Sequence, residues 1–173
     1  MSELTETRPS TEECSCLYLP EIDFLDFNDL PGILRLNAGV PYSWPEDVIR
    51  SDLSQDSQSE TTYIGAFATT AEAPLLGYAV LGREKRAGLL MWLLVDKAYQ
   101  RRGIGSQLLL AVSDCAVYMS MKILRLRVRK SNTAAIELYS QMSFRRERIR
   151  QGFYSNGEDA IVMSARLPLR VSA

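Results

Sequence analysis

The 173-residue sequence contains no histidine and only three cysteines. Without histidine, every catalytic triad that uses an imidazole is excluded, together with the commonest general base. The cysteines, Cys14, Cys16 and Cys115, form an odd set without the spacing of a zinc site. We therefore expect no metal and a reducing compartment. Any proton transfer must use a carboxylate, a tyrosine, a lysine, a cysteine or water.

The sequence also lacks an apolar run of about 18 residues and a basic leader followed by an apolar stretch. We therefore expect no membrane span and no secretory signal, which predicts a soluble, cytoplasmic protein. Residues 1–16 are rich in Thr, Glu and Ser and should form a flexible N-terminal tail. Residues 17–173 are enough for one ordinary globular domain.

The net charge is only −1, but the charged residues are unevenly distributed along the chain. Residues 1–82 carry a net charge of −11, whereas residues 83–150 carry +10. This asymmetry indicates a polyanionic partner, which is either a nucleic acid or a ligand with several phosphates. A nucleic acid would use the arginines of 125–129 and 145–150. Alternating arginines on a strand are more often a solvated face, so we consider nucleic acid unlikely.

The stretch 93–107 is typical of a strand, a basic glycine-rich turn and the start of a helix. Such a turn points backbone N–H groups outward, and the helix behind it adds partial positive charge, which suits a diphosphate. Gly103 and Gly105 alone would also fit a plain strand-to-helix connection. A dinucleotide fingerprint is excluded because it needs a third small residue at Leu108, and no Gly-Lys-Ser/Thr loop is present.

Hydrophobic periodicity predicts the other elements. Strands are expected at 17–27, 61–68, 75–82, 89–95, 123–129, 144–153 and 160–167, and helices at 29–39, 46–53, 106–119 and 133–142. The helices alternate with strands in a way that indicates a layered α/β or α+β fold. The nearly continuous apolar strand 89–95 should lie at the centre of the sheet.

Three motifs follow one another in the sequence. Gln100, Gly103 and Gly105 meet the pattern Gln/Arg-x-x-Gly-x-Gly/Ala, residues 131–139 read SNTAAIELY, and residues 157–163 read GEDAIVM. Together they resemble the GNAT superfamily of N-acetyltransferases, most of all the RimI-type ribosomal-protein alanine N-acetyltransferases, over about residues 75–167. The resemblance implies a mixed, mostly antiparallel sheet of six or seven strands, splayed in the middle, with helices on both faces. It also implies direct acetyl transfer from acetyl-CoA to a primary amine, such as a protein or peptide N-terminal α-amine.

The resemblance assigns roles to individual residues. The pantetheine arm of coenzyme A would lie beside the strand, its diphosphate would bind the N–H groups of the turn, and Tyr139 would protonate the departing thiolate. The implied cofactor-binding residues are Leu93, Leu94, Val95, Arg101, Arg102, Gly103, Ile104, Gly105, Ser106 and Asn132. Taken alone, Asn132 also fits a helix cap and Tyr139 fits core packing. Trp44 would either border the acceptor site or lie in the core.

One position departs from the family pattern. Arg127 stands where the RimI-type motif has a glutamate as general base, and an arginine cannot accept a proton at neutral pH. Either Glu158 or Asp159 acts through water, or no enzymic base is used. We favour the second hypothesis, because an α-amine has a pKa of about 8 and is appreciably neutral at working pH. The missing glutamate also permits a non-catalytic acyl-CoA sensor.

The strand 123–129 alternates apolar residues with Arg125, Arg127 and Arg129, which should share the face opposite the core. If these arginines form a cationic cluster beside the acceptor, the preferred acceptor should have a negative group close to its amine. If they only coat a solvent-exposed face, no such preference is expected.

Overall fold

The computed structural model describes residues 17–54 and 60–171. The elements are β1 (Glu21–Phe24), α1 (Leu30–Asn37), α2 (Glu46–Asp52), β2 (Thr62–Phe67), β3 (Leu75–Glu84), β4 (Ala87–Val95), α3 (Ile104–Tyr118), β5 (Ile123–Arg129), α4 (Thr133–Gln141), β6 (Arg145–Arg150) and β7 (Ala160–Arg166). The expected tail, residues 1–16, lies outside the described residues. The tail and the single domain 17–173 therefore stay predictions.

The strands form one seven-stranded sheet in the order β1-β2-β3-β4-β5-β7-β6. Every neighbouring pair is antiparallel except β4 and β5, which run parallel. Strand β4 lies in the middle, and β6 is an edge strand whose six residues are all exposed. The mixed, mostly antiparallel sheet expected from the family resemblance is therefore confirmed.

Helices cover both faces of the sheet, also as expected. On one face, α3 buries Ile104, Leu108 and Val112, which recur every four residues and so form one apolar stripe. On the other face, Ile33 of α1 and Ile49 of α2 are fully buried against β2 and β3. Strand β3 is buried on both sides as a result, which accounts for its long apolar sequence.

The two parallel strands separate halfway along their length. The ladder between β4 and β5 ends at Leu90 and Leu126, although β4 continues to Val95 and β5 to Arg129. On its other side, β4 has a bulge at Met91, because Val80 pairs with Trp92 while Leu81 pairs with Leu90. A bulge bends and twists its strand, so we attribute the separation in part to Met91. A wedge opens between the strands where the resemblance implied a splayed sheet.

Some element boundaries differ from the predicted ones. The first strand is shorter than predicted, and β4 begins two residues earlier. Helix α3 begins at Ile104 rather than Ser106, directly after Gly103.

The start of α1 is not capped by the side chain of Asp29. Asp29 instead completes a capping box with Asp26 around a short 3₁₀ turn. Val48 of α2 is exposed, since it lies about 100° around the helix from the buried Ile49.

A tight turn lies within the connection between the last two strands, β6 and β7. The backbone N–H of Gly157 donates to the carbonyl of Tyr154 at 2.8 Å, and Gly157 has a φ of +82°. The strands themselves end at Arg150 and begin again at Ala160, so the loop between them is long enough to cover the end of the wedge.

Candidate active site

A first cavity of about 480 Å³ opens on one side of the wedge, between the end of β4, the glycine-rich turn and α4. Its lining includes all the predicted cofactor-binding residues except Arg102, namely Leu93, Leu94, Val95, Arg101, Gly103, Ile104, Gly105, Ser106 and Asn132. The guanidinium of Arg102 lies over the ring of Tyr99 at 5.5 Å instead. Sequence reasoning did not assign Tyr99, Ala134, Ala135, Glu137, Leu138 and Gln141, which also line the cavity.

The turn has a conformation that exposes its backbone N–H groups. Arg101 and Gly103 both have left-handed φ values, +63° and +80°, and residues of this kind allow successive N–H groups to surround an anion. Gln100 supports the turn, because its Nε2 donates to the carbonyl of Val95 at 3.0 Å. Gly103 is the N-cap of α3, so the first N–H groups of the helix also open here.

Both glycines of the turn lie close to side chains from other parts of the chain, which leave little room for a Cβ. A Cβ built on Gly103 would lie 2.4 Å from Cδ1 of Leu17, and its left-handed φ would also strain any other residue. A Cβ on Gly105 would lie 3.2 Å from Cδ2 of Leu138 on α4. A larger residue at Gly103 would therefore displace Leu17, and one at Gly105 would press on the side chain of Leu138, which lines the first cavity.

A second cavity of about 600 Å³ lies on the other side of the wedge. Its lining includes the aromatic side chains Tyr42, Trp44, Trp92, Phe153 and Tyr154, which come from three separate parts of the chain. Trp44 is half-buried, with its ring 6.2 Å from that of Trp92. It therefore both borders this cavity and packs against the core, so each of the two interpretations of Trp44 describes part of its role.

The two cavities share four lining residues, Leu93, Leu94, Asn132 and Tyr139. Tyr139 is buried, and its hydroxyl makes no hydrogen bond within residues 17–54 and 60–171. Burial raises the pKa of Tyr139, and the nearby Tyr154 raises it further. The phenol is therefore protonated at neutral pH and its O–H is a free donor. Asn132 caps α4, because its Oδ1 accepts from the N–H of Ala135 at 3.1 Å.

The arginines of β5 are half-buried and each is paired with a carboxylate. Arg125 lies 3.6 Å from Glu147, Arg127 pairs with Glu84 of β3, and Arg129 lies 2.9 Å from Glu158. Arg127 and Arg129 do line the second cavity, but each charge is balanced by a carboxylate, so the structure matches neither of the two alternatives in full. The cause is a set of partners distant in sequence, which the alternation along β5 does not reveal.

Arg129 also joins the two loops that border the second cavity. Its guanidinium lies 4.1 Å from the ring centroid of Tyr42, in the loop after α1, and 3.8 Å from that of Tyr154, in the loop after β6. Cation–π contacts at these distances are attractive, so the single charge of Arg129 stabilises the positions of both rings. One side chain from the sheet thus positions two walls of the cavity.

Glu158 is fully engaged in hydrogen bonds. It accepts from the backbone N–H of Ser131 at 3.0 Å, from the Ser131 hydroxyl at 2.6 Å and from Arg129 at 2.9 Å. The hydrogen bonds from Ser131 and then Arg129 lower the pKa of Glu158 from its usual 4.5 to about 2. A carboxylate of this kind is a poor proton acceptor at neutral pH. Asp159 is also occupied, by the N–H of Gly152 at 3.1 Å and by Lys130.

Comparison with known proteins assigns the class. The model of the acetyltransferase (GNAT) family matches residues 30–144, so the chain belongs to this family and is an N-acetyltransferase. Members of the family use acetyl-CoA as the acetyl donor. In the part of the chain that the structure describes, no helix is long and apolar enough to cross a membrane, and no group of acidic or cysteine side chains is arranged to hold a metal ion.

Among its relatives are proteins that act on N-terminal amines. The [ribosomal protein bS18]-alanine N-acetyltransferase of Escherichia coli K12 is 29% identical over 147 residues, which are 83% of this chain and 95% of the relative. The N-alpha-acetyltransferase RimI of Mycobacterium tuberculosis is 33% identical over 125 residues, covering 69% and 73%. The crystal structure of the E. coli ribosomal-protein-S18-alanine N-acetyltransferase superposes with a TM-score of 0.74 at 27% identity, over 86% of this chain and 94% of that one.

The low pKa of Glu158 predicts how the stability of the fold depends on pH. Because the folded-state pKa lies below the unfolded one, the stabilisation is fully present above about pH 4.5 and is lost as the pH falls towards 2. We expect Glu158→Gln to unfold at lower urea concentration than the wild type at neutral pH. The difference should shrink steadily below about pH 4.5. The exposed Glu72→Gln is the control, and a difference that does not vary with pH for Glu158→Gln would contradict the assignment.

Proposed function

We propose that the protein transfers the acetyl group of acetyl-CoA to the N-terminal α-amine of a protein or peptide. The observation that supports this most is the meeting of two cavities at Tyr139, one bordered by an anion-binding turn and the other by aromatic side chains. Two different substrates can therefore reach the same hydroxyl from opposite sides of the wedge. The names of the relatives support a protein N-terminus as the acceptor.

The first cavity has the features that acetyl-CoA requires. The N–H groups of the turn and of the α3 N-terminus suit a diphosphate. The half of β4 after Leu90 has no strand partner on its β5 side, so its backbone groups are open to an extended ligand that pairs as a further strand would. Bound there, acetyl-CoA supplies an activated acyl group as a thioester.

The reaction needs one proton donor from the enzyme. The neutral acceptor amine attacks the thioester carbonyl, so that a C–N bond forms, the C–S bond breaks and the electron pair of that bond leaves on sulfur. Tyr139 protonates this thiolate, and the proton lost from the amine passes to water, from which the phenolate is reprotonated. The raised pKa of Tyr139 keeps the phenol in its protonated, donor form at neutral pH but also makes it a weaker acid. The proposed role therefore rests on the position of the residue, which lines both cavities.

Replacing Tyr139 by Phe tests the proposed proton donor. We expect kcat to fall by about 10² to 10⁴, the range for loss of one proton-transfer group, while calorimetric affinity for coenzyme A is retained. The matched control is Tyr118→Phe, because Tyr118 is 91% exposed to solvent. Thiol release measures turnover in each variant. A Tyr139→Phe enzyme as fast as the wild type would reduce Tyr139 to a packing residue.

We propose further that no side chain acts as general base. Among the described residues that line the second cavity there is no aspartate or glutamate. The nearest candidates are already bonded, Glu158 to Ser131 and Arg129, and Glu84 to Arg127. Only an acceptor whose amine is partly neutral in water can then react, which favours an α-amine with a pKa near 8 over a lysine near 10.4.

The proposed absence of a general base predicts which amine is acetylated and how kcat/KM depends on pH. With a peptide that has both a free N-terminus and an internal lysine, we expect mass spectrometry to find the acetyl group on the α-amine. The value of kcat/KM should rise tenfold per pH unit up to the pKa of the acceptor amine and then level off. The pH at which this rise levels off is the midpoint of the profile. For an acceptor whose amine has a lower pKa, the midpoint should fall by the difference between the two pKa values. A midpoint that stays constant across acceptors would reveal an enzymic base.

The Glu84–Arg127 pair predicts the charge preference of the acceptor site. Because Glu84 neutralises Arg127, the wild type should discriminate little between peptides with acidic and basic second residues. Glu84→Gln leaves the Arg127 charge unpaired, and we expect the acidic peptide to gain about fivefold in relative kcat/KM, the scale of one partly exposed ion pair. Glu147→Gln is the control, because its partner Arg125 lies outside the cavity lining. An equal shift in both variants would mean that only overall charge matters.

No structural observation favours the alternatives. The arginines of 125–129 are paired with carboxylates, so they do not form an open track for a nucleic acid. A non-catalytic acyl-CoA sensor would bind acetyl-CoA without thiol release in the assays above. A cytoplasmic location stays part of the proposal.

A further inference from the structure

The chain just before β1 lies against the back of the glycine-rich turn. The backbone N–H of Tyr18 donates to the carbonyl of Arg102 at 3.0 Å. The side chain of Gln107, one turn into α3, donates from Nε2 to the carbonyl of Tyr18 at 2.7 Å and more weakly to that of Gly103 at 3.4 Å. Both backbone groups of Tyr18 are therefore used to hold this segment to the turn and to the helix.

Side chains strengthen the same contact. The ring of Tyr18 meets that of Tyr99 edge-on, with centroids 5.9 Å apart. Tyr99 lines the first cavity, and Arg102 covers its ring from another side. Leu17 occupies the space beside Gly103 that a side chain there would fill. Neither Tyr18 nor Gln107 lines either cavity, so both act from behind the residues that do.

The hydrogen bond from Tyr18 determines the direction of an N–H group in the turn. The carbonyl of Arg102 and the N–H of Gly103 belong to one planar trans peptide, so they point in opposite directions. When Tyr18 holds the carbonyl on the outer side, the N–H of Gly103 is directed away from Tyr18. The peptide held in this way lies between the two left-handed residues of the turn, Arg101 and Gly103.

We propose that Tyr18 and Gln107 are positioning residues that orient the N–H groups of the turn for the diphosphate of acetyl-CoA. The inference rests on the proposed function, because it assumes that the turn binds this diphosphate. It predicts a loss confined to donors that contain the diphosphate. A donor that ends at the pantetheine hydroxyl uses β4 and Tyr139 but not the turn.

The test compares acetyl-CoA with S-acetylpantetheine as acetyl donors for the full chain. Gln107→Met removes the Nε2 donor while keeping a side chain of similar size that favours a helix. We expect kcat/KM for acetyl-CoA to fall about tenfold, as for one lost hydrogen bond to the backbone, through KM rather than kcat. The value for S-acetylpantetheine should not change. Gln151→Met, on an exposed loop residue, is the control.

A backbone variant provides an independent check. Tyr18→Pro removes the N–H that bonds to Arg102, and we expect it to show the same donor-specific loss as Gln107→Met. Leu19→Pro is its control, because within the described chain the N–H of Leu19 donates no hydrogen bond. If Gln107→Met or Tyr18→Pro lowers kcat/KM equally for both donors, the positioning role is overturned. It is also overturned if either variant lowers kcat/KM for neither donor. A wild type that does not prefer acetyl-CoA to S-acetylpantetheine would instead remove the diphosphate site itself, and the inference with it.

Discussion

The arrangement of this enzyme depends on the early end of the hydrogen-bonded ladder between β4 and β5. Past Leu90 and Leu126, two strands that began as neighbours no longer share bonds, and each presents one unpaired edge. Burying such an edge without partners would be unfavourable, so the wedge has to face solvent or a ligand. The two cavities occupy its two sides, and α4 brings Tyr139 to the point between them. The same gap in the sheet thus provides room, backbone hydrogen-bonding groups and access to the phenol.

Paired charges maintain the walls of the second cavity. Arg129 attracts two tyrosine rings and Glu158, and Glu158 in turn holds Ser131 at the start of α4. By the resemblance to RimI-type proteins we expected a glutamate at the position of Arg127, and the partner of this arginine, Glu84, keeps the local charge balanced. A carboxylate is therefore present nearby, as the ion-pair partner of an arginine.

Local patterns predicted much of the cofactor side of the site. The turn around Gly103 and the helix after it were predictable because glycine, helix start and strand end follow one another within fifteen residues of sequence. The mixed sheet and the proposed role of Tyr139 came from the family resemblance, since periodicity does not show which strands pair. Arg102 was assigned to the ligand but does not line the first cavity, and its guanidinium lies over the ring of Tyr99. The pairing of Arg127 with Glu84 was not predictable, since 43 residues separate them.

The exposed edge strand β6 affects the tendency of the protein to associate with itself in solution. Five of its six side chains are charged and four of these are arginines. An open strand edge can recruit the same edge of another molecule, and matching rows of guanidinium groups oppose this through mutual repulsion. Since that repulsion is screened over about 8 Å at physiological ionic strength and over still shorter distances in concentrated salt, the colloidal stability of the enzyme should be greatest in dilute buffer.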